Sequence, residues 1–356
     1  MELLFLTVEG KKSASYVIHV SNLRMDMVMD VKAKVRKNIR SLTNEEKRRF
    51  VKACLQLKKE GRYDEYVHQH HHVMIPTVLP HEPRHPNYRN GAHRGPSFLP
   101  WHRAFLIQFE TDLQRLYPDL TVPYWDWTQD VAAPRDSPVW ADDFMGGDGV
   151  EADQWRVATG PFAEKEGNWP VPGYPEDGLP GTGLKRQFGV VIDSVPTPAD
   201  LAMAMNERLY DTPPYNSSPF TTGFRNRLEG WITQRGDCKN VEKPGSQLHN
   251  RVHLWIGGNM LPMTSPDDPV FFLHHCYIDK VWADWQQLRA GDDSAWSPHY
   301  APLEAGPPGH NFDDVLKPWT HKISDMMNIA DLGYSYEQSV DKPKPTSPFR
   351  KSPFME

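Results

Sequence analysis

This sequence contains few cysteines, no long apolar run and no excess of positive charge. Its 356 residues include three cysteines, Cys54, Cys238 and Cys276, which are too few and too scattered for a disulfide scaffold or a cysteine-rich zinc site. No apolar run approaches about eighteen residues, so the sequence predicts no membrane-spanning helix. Acidic residues (46) outnumber basic ones (40), and this balance argues against nucleic-acid binding, which needs a basic face.

The first twenty residues do not have the pattern of a signal peptide. Residues 1–6 are mostly apolar, but Glu2 is acidic, and neither a basic region nor a small-residue cleavage site is present. We therefore expect a cytoplasmic protein, or one that is exported with a partner. Residues 13–20 have the composition of an edge strand.

The hydrophobic pattern predicts a mainly α-helical protein with long irregular loops. Helical spacing is found over residues 43–60, 64–74, 100–116, 222–234, 246–255 and 270–288. Thr43 and Glu46 form a capping box at the start of the first of these helices. Residues 135–219 are rich in glycine and proline and have weak periodicity, so we expect a long irregular segment wrapped on the core.

Sixteen histidines are present, and six of them fall into two groups of three: His70, His93 and His102, then His249, His253 and His275. His249 and His253 are four residues apart and therefore share one face of a helix. A single histidine on an apolar face is more often a hydrogen-bonded core residue than a metal ligand. Six buried imidazoles without a metal would leave many polar atoms unsatisfied, so two groups of three favour a metal site.

The ligand chemistry narrows the choice of metal. Groups made only of imidazoles suit zinc or copper, whereas magnesium, calcium and manganese prefer oxygen ligands. A catalytic zinc needs one triad and a water. Two neutral triads that face each other across a helix bundle instead predict a dinuclear centre, and we expect it to hold two copper ions.

The segments around these histidines resemble the copper-binding signatures of the tyrosinase family. Residues 93–103 (HRGPSFLPWHR) resemble the signature of the first copper site, CuA. Residues 248–253 (LHNRVH) and 268–275 (DPVFFLHH), followed by Asp279, resemble the signature of the second site, CuB. The similarity is greatest to the short bacterial tyrosinases. It implies a mainly α fold in which a four-helix bundle holds the dinuclear copper centre, with long loops and a few short strands.

Two more motifs extend the resemblance over residues 36–337, nearly the whole chain. They are YWDW at 124–127 and YSYE at 334–337, the latter closing the family's catalytic domain. We expect Arg36 or Arg40 to pair with the tyrosines of that second motif. The expected organisation is a single catalytic domain over residues 1–340 and a Lys/Pro-rich tail over 341–356, without the C-terminal covering domain of many family members.

The resemblance implies six copper ligands: His70, His93 and His102 for CuA, and His249, His253 and His275 for CuB. Two positions have competing neighbours. His68, His71 and His72 surround His70, and we expect His68 and His71 to be solvated rather than to assist copper loading. His274 precedes His275, and the family's ligand is the second histidine of the pair.

The resemblance also implies the reaction. Tyrosinases use O2 to hydroxylate monophenols at the ortho position and to oxidise o-diphenols to o-quinones, as in melanin biosynthesis. In the family, a Glu and the Asn after the first CuB histidine hold a water that deprotonates the monophenol; Glu229 and Asn250 match them. We therefore expect true monophenolase activity. A catechol oxidase or an o-aminophenol oxidase with the same centre stays open, and an oxygen carrier is a more distant alternative.

Four further residues are expected around the centre. Phe271 would lie near the substrate ring, Leu254 would make the entrance apolar, and Pro262 falls where a gate residue over CuA is expected. Asp279 is expected to accept a hydrogen bond that orients a histidine ring. The substrates implied are small phenols.

Three other features bear on how this chain differs from its family. Gly91 occupies the position of the cysteine that forms a thioether in fungal and plant members, so no such crosslink can form. A separate copper-delivering companion protein is possible, as in some bacterial relatives. The insert at 233–246, which includes Cys238, has no assigned role.

Overall fold

The structure is a computed structural model that describes residues 34–74, 90–164, 168–173, 181–237, 241–290 and 299–338. All of these residues belong to the structural unit that begins at Ala33. The strand predicted at 13–20, Cys238 and the tail at 341–356 lie outside the described residues.

The described part of the chain is mainly helical, as the sequence predicts. Its helices are α1 (Asn44–Lys59), α2 (Arg62–Met74), α3 (Phe98–Leu116), α4 (Pro198–Asn206), α5 (Phe224–Glu229), α6 (Leu248–Ile256) and α7 (Val270–Arg289). Helix α1 begins at the predicted capping box. The Thr43 hydroxyl accepts from the Glu46 N–H at 3.2 Å, and the Glu46 carboxylate accepts from the Thr43 N–H at 2.8 Å. None of the described helices is both long and apolar enough to cross a membrane.

Helices α2, α3 and α7 are joined by a group of buried aromatic rings. Phe109 of α3 stacks on Phe272 of α7 with 3.6 Å between ring centroids, and Tyr66 of α2 meets both rings edge-on. Contacts of this kind contribute about 0.5–1.5 kcal/mol each beyond the burial of their area. Helix α6 packs against α7 and completes the bundle that carries five of the six predicted ligands.

Two predicted helix boundaries differ from the structure. Helix α3 begins at Phe98 rather than Pro100, because a proline is tolerated within the first turn, where N–H groups have no partner inside the helix. The helix predicted over 222–234 is only the short α5. It ends at Gly230, whose φ of 109° favours glycine and whose Cβ, if present, would lie 2.1 Å from the Gln247 carbonyl oxygen.

The described parts of the segment at 135–219 are mostly irregular but include an α-helix that the sequence pattern did not predict. Helix α4 begins at a capping box in which Thr197 accepts from the Asp200 N–H and the Asp200 carboxylate accepts from the Thr197 N–H. The usual form of this motif has Glu or Gln at the fourth position, so Asp200 gave a weak signal. Nine residues are also too few to show clear periodicity.

The strands among the described residues are short, with two or three residues each. Strand β1 (Lys34–Arg36) pairs in parallel with β6 (Tyr334–Tyr336), while β2 (Gly149–Val150) pairs antiparallel with β3 (Arg156–Val157) and β4 (Pro170–Val171) with β5 (Thr182–Gly183). The β1–β6 pair places Arg36 directly opposite Tyr336.

A buried ion cluster centred on Asp279 of α7 lies beside the β1–β6 pair. The Asp279 carboxylate accepts from Arg36 Nη1 at 3.1 Å, from Arg103 Nε at 2.5 Å, and from the hydroxyls of Tyr334 and Tyr336 at 2.7 and 2.5 Å. Burial opposes its ionisation, but the charges of Arg103 and Arg36 hold the pKa of Asp279 below its usual value.

This ion cluster tests the expected arginine partner of the tyrosine motif and the expected role of Asp279. The tyrosine motif pairs with Arg36, whereas Arg40 pairs with Asp130. The expectation that Asp279 orients a histidine ring is wrong, because its described hydrogen-bond partners are two arginines and two tyrosines. Two fully buried guanidinium groups need a nearby negative charge, and Asp279 supplies it.

Candidate metal centre

Three histidines from two helices and a loop form the first cluster, which contains the predicted CuA ligands. His70 lies on α2, His102 lies near the start of α3, and His93 lies on the loop before α3. Their exposed fractions are 1, 2 and 8 %, and their ring centroids lie 4.7–5.7 Å apart. One ligand nitrogen of each lies within 4.8 Å of the others, so the three side chains can share one metal ion.

Backbone carbonyls orient two of these rings. His70 Nδ1 lies 2.7 Å from the Met263 carbonyl oxygen, and His102 Nδ1 lies 2.8 Å from that of Phe98. A carbonyl only accepts, so each contact places the proton on Nδ1 and leaves a lone pair on Nε2. Both Nε2 atoms are buried without a hydrogen-bond partner among the described residues. Such atoms fit a metal ion, which would satisfy them.

The loop that carries His93 is held by two side chains. Asn90 Oδ1 accepts from the N–H groups of Ala92 and His93 at 2.9 and 2.8 Å. Arg94 follows with a φ of 61°, which is unusual for a residue other than glycine, and its N–H donates to Glu229 Oε1 at 2.6 Å. The hydrogen bond to Glu229 stabilises this strained backbone and therefore helps to place His93.

The second cluster is built on α6 and α7. His249 Nε2 lies 3.2 Å from His275 Nε2. This is near the separation of about 3.3 Å expected for two nitrogens bound at 2.0–2.1 Å to one tetrahedral metal. His253 Nδ1 lies 2.8 Å from the Met260 carbonyl oxygen, and its Nε2 has no partner in the described part of the chain. The donor set therefore fits a second metal ion.

The structure also brings His274 to this cluster. One nitrogen each of His249, His253, His274 and His275 lie within 4.8 Å of one another. The His274 ring stacks on His249 and accepts from Trp127 Nε1 at 3.3 Å, whereas the His275 ring faces the first cluster. The choice of His275 as ligand stays a prediction.

The two clusters adjoin. The rings of His102 and His275 stack with 4.1 Å between centroids, and those of His93 and His249 are 5.7 Å apart. Phe271 is fully buried among them, with its ring 4.1 Å from that of His275. Phe271 thus packs against the predicted ligands themselves. The geometry fits two metal ions side by side.

Burial lowers the pKa of every histidine in these clusters. The pKa of His70 falls to about 3 and that of His253 to about 4, and those of the other predicted ligands also lie well below their usual value. The protonated ring loses hydration when it is buried, and its histidine neighbours repel a positive charge. The rings are therefore neutral at about pH 7, which is the form that binds metals.

The histidines around His70 differ in exposure. His68 and His72 are exposed, but His71 is buried, so the expectation that His71 is solvated is wrong. His71 lies one helical turn after Val67, which is fully buried, and so shares its side of α2. The buried face of α2 is therefore wider than the stripe that carries His70.

Glu229 and Asn250, predicted to act on the substrate, both contact His249. Asn250 Oδ1 lies 2.9 Å from His249 Nδ1, and the Glu229 carbonyl oxygen lies 3.4 Å from the same atom. The Glu229 side chain is fully buried and accepts from Arg225 Nη1 at 3.0 Å in addition to the Arg94 N–H. Burial raises the pKa of Glu229, while the charge of Arg225 opposes this shift.

The remaining predicted residues lie on or after α6. Leu254 follows His253 on α6, and Pro262 lies in the loop between α6 and α7; both are half-buried. Pro262 lies between Met260 and Met263, whose carbonyls contact the two clusters. A gate function for Pro262 stays a prediction.

Two buried residues near the site were missed in the sequence. Arg225 forms ion pairs with both Glu229 and Asp211. Asp211 Oδ2 accepts from Arg225 Nε and Nη2 at 2.8 and 2.6 Å. His310 lies 2.8 Å from the Ser97 hydroxyl and packs so closely on Gly95 that a Cβ there would be 2.6 Å from the imidazole. The four-residue spacing between Arg225 and Glu229 could have indicated an ion pair on one helix face, but no sequence pattern indicates His310.

A buried carboxylate in the turn before α7 gives a pH-dependent prediction. Asp267 is 1 % exposed, and both of its carboxylate oxygens are buried. Burial raises the pKa of Asp267 to about 7, although the charge of Lys58 and the side chain of Thr264 oppose this shift. An aspartate in the unfolded chain has a pKa of about 3.9. Between about pH 4 and pH 7, Asp267 therefore stays protonated in the folded protein but is ionised in the unfolded chain. Stability therefore falls as pH rises through this range.

We expect Asp267→Asn to stabilise the protein, with a gain in unfolding free energy that grows by about 2–3 kcal/mol between pH 5 and pH 8. Urea unfolding at both pH values measures it. Asp143→Asn, which removes an exposed carboxylate, serves as the control and should change little at either pH. An equal gain from Asp267→Asn at both pH values would contradict the prediction.

Comparison with known proteins decides the family. The common central domain of tyrosinase matches residues 33–288. The chain belongs to the tyrosinase family. It is 44 % identical over 285 residues to a tyrosinase of Streptomyces glaucescens, covering 80 % of this chain and 92 % of the relative. It is also 40 % identical over 323 residues to the grixazone synthase of Streptomyces griseus, covering 85 % of this chain and 99 % of the relative.

Solved structures share the tyrosinase fold at lower identity. A polyphenol oxidase variant from Thermothelomyces thermophila has a TM-score of 0.63 at 22 % identity, covering 86 % of this chain and 89 % of that one. A recombinant mushroom tyrosinase has a TM-score of 0.53 at 18 % identity, covering 85 % and 61 %. The tyrosinase prediction made from the sequence is confirmed. The relatives support a tyrosinase-type copper oxidase rather than an oxygen carrier.

Proposed function

We propose that the two histidine clusters hold two copper ions and that this centre uses O2 to hydroxylate small monophenols and to oxidise o-diphenols. The observation that carries the proposal is the pair of adjacent, buried and neutral imidazole clusters, each with Nε2 atoms that lack a partner among the described residues. A salamander relative, 28 % identical over 353 residues, is named a 5,6-dihydroxyindole-2-carboxylic acid oxidase, and this supports o-diphenols of melanin biosynthesis as substrates.

In this proposal, copper would supply the redox and Lewis-acid chemistry, and the protein supplies fixed ligands in a largely buried site. The carbonyls of Phe98, Met260 and Met263 hold three ring orientations in advance. Asn250 does the same for His249 through its side-chain oxygen. Because these contacts lie behind the ligand nitrogens, the rings need little rearrangement when a metal ion binds.

Hydroxylation of a monophenol needs the phenolate, and a free phenol has a pKa of about 10. A base must therefore take the proton near neutral pH. Glu229 is the proposed acceptor, acting through a water. The Asn250 oxygen is committed to His249, which leaves its amide N–H groups to hold that water. Arg225 keeps the Glu229 carboxylate oriented by its ion pair.

The first test is to load the protein with copper and measure the metal content per chain. Turnover of L-tyrosine and tyramine is then compared with that of L-DOPA and o-aminophenol in air. Two coppers per chain with turnover of both mono- and diphenols support the proposal. Two coppers with turnover of only the diphenol or the aminophenol would contradict the monophenolase part, and failure to bind two coppers would contradict the metal centre.

We expect Glu229→Gln to lower kcat for L-tyrosine by about 100-fold or more and kcat for L-DOPA by only a few-fold, because only the monophenol needs the base. Steady-state assays on both substrates measure the ratio. Asp211→Asn is the matched control, since Asp211 is an equally buried partner of the same arginine but has no contact with the His93 loop or His249 among its described hydrogen bonds. An equal loss for both substrates in Glu229→Gln would contradict the role of Glu229.

Delivery of copper by a companion protein is the last part of the proposal. Five of the six predicted ligands are buried and His253 is partly exposed, so most of the donor nitrogens are shielded from a metal ion in solution. We expect copper salts alone to load the protein slowly. Complete loading within seconds of adding copper would contradict the need for a companion.

A further inference from the structure

The loop between α6 and α7 contacts both histidine clusters. Residues 257–268, here called the bridging loop, place the Met263 carbonyl against His70 of the first cluster. The same loop places the Met260 carbonyl against His253 of the second cluster. The two carbonyls are three residues apart, so a displacement of the bridging loop would turn a ring in each cluster at the same time.

The beginning of the bridging loop is held by the long irregular segment. Asn259 exchanges two hydrogen bonds with Lys185: its N–H donates to the Lys185 carbonyl at 3.0 Å, and its side-chain oxygen accepts from the Lys185 N–H at 2.7 Å. Gly258, with a φ of 52°, approaches the same backbone so closely that a Cβ would lie 2.1 Å from the Lys185 carbonyl oxygen. Only glycine fits this contact.

The end of the bridging loop is held by a fully buried ion pair. Arg186 Nε donates to Asp268 Oδ2 at 2.7 Å, and Arg186 Nη2 donates to Asp268 Oδ1 at 2.9 Å. Arg186 Nη1 donates to the carbonyls of Met145 and Gly146 at 2.9 and 2.8 Å. This bidentate geometry fixes direction as well as distance, which a single hydrogen bond does not.

We propose that Arg186 and Asn259 are positioning residues for both metal sites, acting through the bridging loop. Neither side chain has a described hydrogen bond to a histidine, yet together they fix the two carbonyls that set the rings of His70 and His253. The proposal rests on the proposed function only in taking these two histidines as ligands. It also gives the irregular segment a function, because residues 185 and 186 connect that segment to the centre.

The experiment is a copper titration of metal-free protein in competition with a chelator of known affinity. Arg186→Lys keeps the charge but loses the bidentate pair, and we expect copper affinity to fall about 10–100-fold at both sites. Asn259→Ala should weaken both sites by a smaller factor. Arg135→Lys is the matched control, because Arg135 contacts the same segment at the Phe188 carbonyl but pairs with Asp148 at the surface. It should change affinity less than threefold.

Circular dichroism and thermal unfolding show whether each variant is folded at the temperature of the titration. Asn259→Ala, which removes one contact, keeps the test available if Arg186→Lys does not fold. Wild-type affinity at both sites in the folded variants would overturn the proposal, and so would a loss confined to one site. Wild-type protein that binds no copper would contradict the proposed function instead, so the two failures are distinct.

Discussion

His102→Ala is expected to leave the protein with one copper ion per chain and to lower oxidase activity by more than about a thousandfold. The His102 ring belongs to the first cluster and stacks on His275 of the second, so it lies at the junction of the two. Its loss removes a third of the ligands of one site. In the proposed function the reaction would need both metals, and each would contribute several kcal/mol to the stabilisation of the transition state.

Elemental analysis of copper-loaded, desalted protein and turnover of L-DOPA measure the effect of His102→Ala. His68→Ala is the control, because His68 is an exposed histidine on α2. We expect this variant to keep two coppers and nearly all activity. Two coppers retained by His102→Ala would show that His102 is not a ligand. One copper lost from His68→Ala would show that the ligand on α2 was misassigned.

Asp279→Asn is expected to lower the unfolding free energy by about 3–5 kcal/mol, because it leaves buried charges without their partner. Arg103 is fully buried, and its remaining described acceptors are neutral, including the Met326 carbonyl at 2.7 Å and Gln286. Arg36 keeps Glu110 at 3.0 Å, so the larger part of the cost falls on Arg103. Urea unfolding of metal-free protein measures the loss.

The control for Asp279→Asn lies on the same helix. Asp284 pairs with Lys280 near the surface of α7, and Asp284→Asn should cost no more than about 1 kcal/mol. Folded Asp279→Asn should also retain two coppers, because Asp279 has no histidine among its described partners. Loss of copper at unchanged stability would contradict this and would restore the histidine-orienting role expected from the sequence.

The histidine clusters could be predicted because metal ligands are restricted to a few residue types and often occur at characteristic spacings. His249 and His253 share a helix face by spacing alone, and the capping box of α1 marks its own position. Arg36 and Arg40 were both candidates to pair with the tyrosines of the YSYE motif, and the pairing of β1 with β6 places Arg36 beside them. Local rules of this kind act over a few residues and can be read directly from the chain.

The contacts that orient the clusters could not be predicted, because most of them use backbone carbonyls. Any residue type could supply the carbonyls of Met260 and Met263, so no pattern marks them. The role of Asp279 was misjudged for a related reason. Its position one turn after His275 places it near a ligand in sequence, but the two buried arginines come from distant segments.

The bridging loop has a consequence for the order in which a nascent chain becomes able to bind copper. All three predicted ligands of the first site precede Arg103, yet His70 takes its orientation from the Met263 carbonyl. This orienting contact can therefore form only after the stretch from Arg103 to Met263 has been synthesised, and by then α6 and its two histidines have also been synthesised. The orienting contacts of the two predicted sites, from Met263 to His70 and from Met260 to His253, would therefore become available within the same short interval of translation.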